Sequence, residues 1–439
     1  MKGQNILCLR VCRNLSHHHR ALSTFFESFS QTIEFGQGDR HVAIAAATFD
    51  IAIVESLFPL CRGAEVIIAE KSDVQHPARL SALIKTSKAT SFQATPSYFR
   101  LMADDDCLNG IRVLCTGEPM PIDLGRILLK SASEVWNLYG PTETTIYASA
   151  HRLIDNMCDS LPSGWVCIGR PLPGYKMYVL DDTQQPVPVG VAGDLYISGG
   201  AVSRGYLNRP DLTGERFIPD PFAAPGSIMY RSGDIVRWRI DQSLDYLGRS
   251  DRQVKIRGHR IELAEIEAVL LANTGLKEAV VVTDELSTGV VRLIAYVVTK
   301  VGEKISPPEL LGIARQHLPE FMVPSTIIQL DALPLTTHGK IDRRALPKAD
   351  LLRSQTRRLA RGVLEETLCK AFTEVTGVAD ISLDDSFFGL GGDSIMGIRL
   401  SSRIHDRLDV EVPLEMLFET QTIGDIAAWI TETIASRDP

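Results

Sequence analysis

The stretch GLGGDSIMGIRL, residues 389–400, places Ser394 after two glycines and an acid and before apolar residues at helical spacing. A serine hydroxyl becomes a nucleophile when a base takes its proton, and this run holds no histidine. What the position offers is the mouth of a helix, where unpaired backbone N–H groups and the helix dipole favour a bound phosphate. Gly391 and Gly392 keep the approach open, and a plain N-cap role is the alternative. Lys340, in THGKID, sits on a glycine-containing loop, the ordinary setting of a surface lysine. Asp50, in TFDIAIVE, is an acid in an apolar run, which is costly unless it meets a cation. SHHHR at 16–20, with Cys8 and Cys12 nearby, has the residue types of a metal site. Such a site needs ligands fixed on both sides by ordered backbone, so a solvated loop or helix entry is the expectation for this run.

Positioning such residues takes ordered elements. From about residue 40 to 250, β-rich runs (HVAIAAA, AEVIIAE, IRVLCTG, EVWNLYG) alternate with VESLFPLCRG and ARLSALIKTSK, whose apolar residues recur three and four apart. That is α/β architecture, passing through YKMYVLDD and GDLYISGG into a strand-rich, Gly- and Pro-punctuated part. After YLGRSDRQVKIRG comes an α+β unit: a helix LAEIEAVLLAN, strands EAVVVTDEL and VRLIAYVVTK, and a Pro-opened helix PPELLGIARQHLP. A charged stretch at 347–358 reads as a linker. The rest reads as four short amphipathic helices, LARGVLEETLCKAFTEV, SIMGIRLSSRIHDRL, PLEMLFET and IGDIAAWITETIA, which make an all-α bundle.

At 439 residues and 44% hydrophobic composition the chain can bury several cores, and roughly 150 residues per domain points to about three. With 54 acidic against 46 basic side chains and a net charge of −8, it has no basic stripe to track a phosphate backbone, which argues against nucleic acid. The eight cysteines are scattered, as free thiols in a reducing compartment are. Arg10 and Arg13 interrupt the first apolar run before signal-peptide length, and nothing reaches the ~18 apolar residues of a membrane span. A cytoplasmic protein is expected.

DSFFGLGGDSIMGIRL, on the second helix of a small four-helix unit, resembles the carrier (thiolation) domain of nonribosomal peptide synthetases over roughly residues 355–436. The resemblance implies 4′-phosphopantetheine on Ser394, attached by a separate phosphopantetheinyl transferase. It puts Asp393 where the family's acid precedes the modified serine, and Ile395 and Met396 where the transferase and partner domains dock. Upstream, NLYGPTETTIYAS, GDLYISGGAVSRGYLNRPDLTGERFIPDPF, MYRSGDIVRW, YLGRSDRQVKIRGHRIELAEIE and LPLTTHGKIDRRAL occur in that order. Together, over about residues 15–347, they resemble the adenylation domain of the same synthetases, within the ANL adenylate-forming superfamily. The implied layout is 1–14 unassigned, 15–250 a partial large adenylation subdomain, 251–347 the small C-terminal subdomain, 348–357 a linker and 358–437 the carrier domain.

The residues suit ATP and carboxylate chemistry. In NLYGPTE, Tyr139 can stack on adenine and Asn137 can hydrogen-bond its edge, while Thr142 supplies a hydroxyl for phosphate and Glu143 a hard oxygen ligand for Mg²⁺. By resemblance, Gly117 and Glu118 supply backbone lining the adenine, Asp234 accepts the ribose hydroxyls beside Arg249, and Lys340 is the catalytic lysine. Asp251 matches the hinge and Gly258 the loop flanking the pantetheine tunnel. Asp50 matches the aspartate that binds an α-ammonium group, which acyl-CoA ligases lack. The side-chain pocket would be lined by Ile51, Val54, Gln93, Leu114, Thr116, Leu138, Ile146 and Tyr147, suiting a medium apolar or mildly polar amino acid. Neighbouring condensation or release domains are implied partners.

One departure stands out. The family's Ser/Thr/Gly-rich loop, which cradles the ATP phosphates, is expected ahead of SHHHRALSTFFES, where MKGQNILCLRVCRN stands instead. Two readings follow: a fragment of an amino-acid-adenylating and thiolating module, or an adenylation-dead carrier and docking module. An acyl-CoA or aryl-acid ligase relative is opposed by Asp50 and the fused carrier. Missing strands would leave sheet edges and apolar faces uncovered.

Overall fold

The structure, a computed structural model, describes residues 5–8, 15–103, 105–154, 164–251, 253–256, 259–272, 275–285, 291–300, 303, 305–334, 341–347, 358–378, 381–385, 387, 390, 392, 394–410, 412–413, 416–417 and 422–435. The chain divides into two compact units, with the boundary at Asp251 apart from an exchange of short segments over 252–260.

The first unit is built on a seven-stranded sheet in the order Glu65–Ile68, Arg40–Ala43, Ser91–Ala94, Arg112–Thr116, Glu134–Tyr139, Ser149–Arg152, Arg170–Pro171. The first five are parallel and the last two antiparallel. Alternation along Arg112–Thr116 shows how both faces are covered. Val113 and Cys115 join Leu80 and Ile84 of helix Pro77–Thr86 and Leu124 and Leu128 of helix Ile122–Leu129. Leu114 faces the other way, into a core with Phe25 and Phe29 of helix His19–Ser30 and Val54 and Phe58 of helix Ile51–Cys61. The expected strands and helices of this half are present. Ser91–Ala94 went unrecognised in the sequence because SFQA offers no apolar run, yet all four residues are buried at the sheet centre. Glu65–Ile68 ends the sheet order among the described residues, and Ile68 is 77% exposed.

A five-stranded antiparallel sheet follows, of Tyr175–Leu180, Ala192–Gly199, Phe217–Pro219, Ile228–Trp238 and Leu244–Arg249. Its register sets Asp234 directly opposite Arg249, next to an irregularity at Ile235/Val236. Such a bulge re-aims side chains.

In the second unit, Leu276–Glu285 and Val291–Thr299 pair antiparallel, and Thr326–Gln329, unrecognised in the sequence, adds a parallel third strand. Helices Leu263–Leu271 and Pro307–His317 supply Ile266, Leu270, Leu310 and Ala314 to its core. Ser306 opens the latter helix with a capping box: Glu309 returns its Oε2 to the Ser306 N–H at 2.8 Å, ahead of Pro307 at the first helical position. A separate core holds the helices Val363–Thr376, Ser394–Leu408 and Ile423–Ala435, through Leu368, Phe372, Leu400, Ile404 and Ile430. Of the expected helix PLEMLFET, residues 416–417 are helical among those described. The protein is therefore multidomain: α/β with a strand-rich sheet, then α+β, then an all-α bundle. The 348–357 linker lies outside the described residues.

Candidate active site

The carboxyl ends of neighbouring parallel strands are where an open α/β sheet gathers ligand-binding groups. Four strands of the first sheet deliver Asp50 after Arg40–Ala43, Gln93 in Ser91–Ala94, Thr116, Gly117 and Glu118 at the end of Arg112–Thr116, and Tyr139 to Glu143 at the end of Glu134–Tyr139.

Asp50 begins helix Ile51–Cys61. Burial, with the Glu143 carboxylate nearby, raises its pKa, while the Thr142 hydroxyl and the Ile51 N–H hydrogen-bond to it and oppose the shift. An arriving ammonium would relieve that cost. Glu143 is 3% exposed and accepts the Tyr206 hydroxyl at 2.6 Å. The turn beyond it is strained: Thr145 and Ile146, both β-branched, have φ of 63° and 71°. Such residues cost on the order of 1–3 kcal/mol each and persist when the surroundings over-determine them. Here Thr145 Oγ1 donates to Ala201 O at 2.6 Å, His17 Nδ1 lies 3.1 Å from it, and the Tyr175 hydroxyl donates to Thr144 O at 3.0 Å. His17 thereby departs from the expected solvated run. It is 5% exposed at the end of strand Leu15–His18, and burial lowers its pKa to about 4. His19 does begin a helix, as expected.

The second sheet contributes an ion-pair node. Asp234, 2% exposed, accepts Arg249 Nη1 at 2.7 Å on Oδ1 and the Tyr139 hydroxyl at 2.5 Å on Oδ2. Arg249 also grips Asp251 through Nε and Nη2, at 2.7 and 2.8 Å. Gly233 is obligatory here, with φ +78° and no room for a Cβ, which would fall 2.6 Å from Asp251 Oδ2. Asn137 is buried in strand Glu134–Tyr139. Its Nδ2 donates inward to the carbonyls of Cys167 at 2.9 Å and Val166 at 3.4 Å, so a purine edge would be met by Oδ1, an acceptor that suits the adenine amino group. The Glu118 side chain turns to Ser97, accepting its hydroxyl at 2.6 Å, and Gly117 has φ +87°.

The expected pocket residues form one buried group. Val54, Leu114, Leu138, Ile146 and Tyr147 belong to a single core against which Ile51 packs. Gln93 and Thr116 are 0% and 4% exposed. Sequence reasoning missed Glu55, five residues after Asp50 in the same TFDIAIVE run. It is 1% exposed, and burial raises its pKa to about 7 against the hydrogen bonds of Ala45, Ile44 and Gln93. An acid one helical turn beyond Ile51, in a helix whose other buried residues are Val54, Phe58 and Pro59, was the available signal. Lys340 and Gly258 lie outside the described residues.

Comparison with known proteins gives three family matches: AMP-binding enzyme over residues 15–207, AMP-binding enzyme C-terminal domain over 265–340, and phosphopantetheine attachment site over 366–430. The dimodular nonribosomal peptide synthase of Bacillus subtilis is 43% identical over 411 residues, 93% of this chain and 17% of that protein. The chain belongs to the nonribosomal peptide synthetases. Surfactin synthase subunit 3 of Bacillus subtilis is 38% identical over 90% of this chain and 31% of its own length, so the synthetase chain described here spans under a third of either relative. Among solved structures, a holo NRPS protein containing adenylation and PCP domains, bound to a vinylsulfonamide inhibitor, aligns over 89% of this chain and 65% of its own, at 26% identity and a TM-score of 0.74. A holo four-domain synthetase bound to AMP and glycine aligns over 97% of this chain and 32% of its own, at 32% identity and a TM-score of 0.53.

In the carrier part of this synthetase chain, Ser394 is the first residue of helix Ser394–Leu408. Gly392 is there for packing rather than for an open approach, because a Cβ would collide with the Phe387 ring and carbonyl. Met396 corrects a second expectation. It is 2% exposed and lies in the bundle core with Leu400 and Ile404, four residues apart on one helix face, so it is a core residue and not a docking surface. Asp393, Gly391 and the side chains of Ser394 and Ile395 lie outside the described residues. No described helix is long and apolar enough to cross a membrane.

Proposed function

We propose that this chain activates an amino acid with ATP and transfers it to a pantetheine thiol on Ser394. The observation that carries the reading is Asp50, an acid held beside Thr142 and Glu143 at the carboxyl ends of the sheet, where an α-ammonium would find its counter-charge. With the ammonium fixed there, the substrate carboxylate attacks the α-phosphorus of ATP and pyrophosphate leaves. Asp234 accepts the ribose hydroxyls on the lone pairs left by Tyr139 and Arg249, Tyr139 and the Gly117–Glu118 backbone flank the adenine, and Asn137 takes its edge. Thr142 binds phosphate and Lys340 neutralises charge on the phosphoryl oxygens.

No described group of three or more His, Cys, Asp or Glu could hold a metal by itself. One carboxylate fits the way Mg²⁺ is held with nucleotide phosphates, and Glu143 beside the Thr142 hydroxyl would be that ligand, screening the phosphate charge. The pantetheine thiol then displaces AMP from the acyl group. Asp251, clamped by Arg249, serves as the hinge between these half-reactions, and Gly258 flanks the pantetheine path. A phosphopantetheinyl transferase and neighbouring condensation or release domains are the implied partners. The pocket from Ile51 to Tyr147 takes a medium apolar or mildly polar side chain.

The test is intact mass after incubation with a phosphopantetheinyl transferase, ATP, Mg²⁺ and pooled amino acids. Pantetheine plus an aminoacyl increment on the wild type, with neither on Ser394→Ala, is the expected result. Pantetheine alone would leave only the carrier and docking role.

A further inference from the structure

Glu55 reaches the pocket wall only through other side chains. Its Oε2 accepts the N–H groups of Ile44 and Ala45, both at 2.7 Å, and its Oε1 accepts Nε2 of Gln93 at 3.0 Å. Once ionised, as at pH 8, the Glu55 carboxylate can only accept, so the Gln93 amide turns its NH₂ toward Glu55 and its oxygen away. That oxygen accepts the Tyr147 hydroxyl at 2.8 Å, and the Thr116 hydroxyl hydrogen-bonds to Tyr147 in turn. The Tyr147 ring itself is fixed by Phe25 and Phe29, with centroids at 6.0 and 5.7 Å. Proton directions along this relay of Thr116, Tyr147, Gln93 and Glu55 are therefore set from one end. That end is a residue outside the pocket lining.

Building on the amino-acid activation proposed above, we propose that Glu55 is a positioning residue for substrate selection. By fixing the Gln93 amide it commits the Tyr147 proton inward, so Tyr147 offers the substrate none and apolar side chains are taken over isosteric ones bearing a hydrogen-bond acceptor. A glutamine at position 55 can keep the two backbone N–H groups on its oxygen and present NH₂ to Gln93. The Gln93 amide then turns over, its NH₂ faces Tyr147, and the Tyr147 proton is released.

The experiment is ATP–pyrophosphate exchange at pH 8 by the full chain, comparing leucine with asparagine and valine with threonine. In Glu55→Gln the kcat/KM ratio of asparagine to leucine rises about fivefold, the scale of one neutral hydrogen bond, while KM for ATP holds. On a Tyr147→Phe background, which lacks the hydroxyl, adding Glu55→Gln leaves the ratio where it was. If Glu55→Gln does not fold, Gln93→Leu cuts the same relay and raises the same ratio. An unchanged ratio in the folded variant, or an equal rise on the Tyr147→Phe background, overturns the proposal alone. Absence of exchange with any amino acid in the wild type overturns the activation reading and this proposal with it.

Discussion

Two buried carboxylates in the first unit are kept by opposite means. Asp234 faces a full cation, since Arg249 lies 2.7 Å away and also holds Asp251. Glu55 meets only dipoles: two backbone N–H groups and one amide. The first arrangement makes a rigid anchor that depends on one arginine. The second leaves an acid that titrates near neutrality and can pass its state to a neighbour. Burial alone therefore does not say what an acid is for; the charge type of its partner does.

Removing the cation should do the most damage. Arg249→Met leaves Asp234 and Asp251 without their shared partner, and the expected loss is about 3–5 kcal/mol, the scale for breaking a buried pair from one side. Arg249→Lys restores the charge but not the fork that reaches both carboxylates, so it should recover only part. Urea unfolding followed by tryptophan fluorescence reads both variants. A midpoint for Arg249→Met equal to wild type would mean that the node contributes nothing to the fold.

The next effect separates the two carboxylates by pH. Glu55 has its pKa raised from 4.5 to about 7, so between these values the unfolded chain has lost a proton that the folded protein still holds. Stability from this group is complete below about pH 4.5 and is lost as pH rises through about 7, with a maximum span of about 3 kcal/mol. Relative to Glu55→Gln, the wild type should lose stability over that window and then level off. A difference between the two that stays flat from pH 4.5 to 8 would show that Glu55 is ionised throughout.

Much of this was legible in the sequence because it rests on periodicity and motif. The α/β alternation, the strands ending in Thr116 and Tyr139 and the helix at Ser394 all follow from apolar spacing and from motif residues that sit at element ends. What escaped did so for physical reasons. Ser91–Ala94 is a fully buried strand with two polar residues, and their partners, His41 and Glu55, come from elsewhere in the chain. Glu55 escaped because nothing local shows that Gln93, 38 residues on, lies against it. Met396 follows Ser394 by two residues in sequence, but helix phase sends it into the bundle. The His17 run looked solvated because its partners, Thr145 and Ser203, are more than a hundred residues away.

The same small change made in both places gives the finest test of the contrast. Tyr139→Phe removes a hydrogen bond donated to a charged acceptor, Asp234 Oδ2, and should cost about 2 kcal/mol. Tyr147→Phe removes one donated to a neutral amide, Gln93 Oε1, and should cost about 1 kcal/mol, because that bond is weaker and Gln93 keeps its hold on Glu55. The rings, both buried, are preserved in each variant, so packing loss does not confuse the comparison. Equal losses would mean that the Asp234 charge, already met by Arg249, makes the phenol's bond no stronger than one to a neutral amide. In that case the Tyr139 hydroxyl gives up little when it turns from Asp234 toward a ribose, and nucleotide affinity in Tyr139→Phe, measured by calorimetry with AMP, should fall by more than stability does.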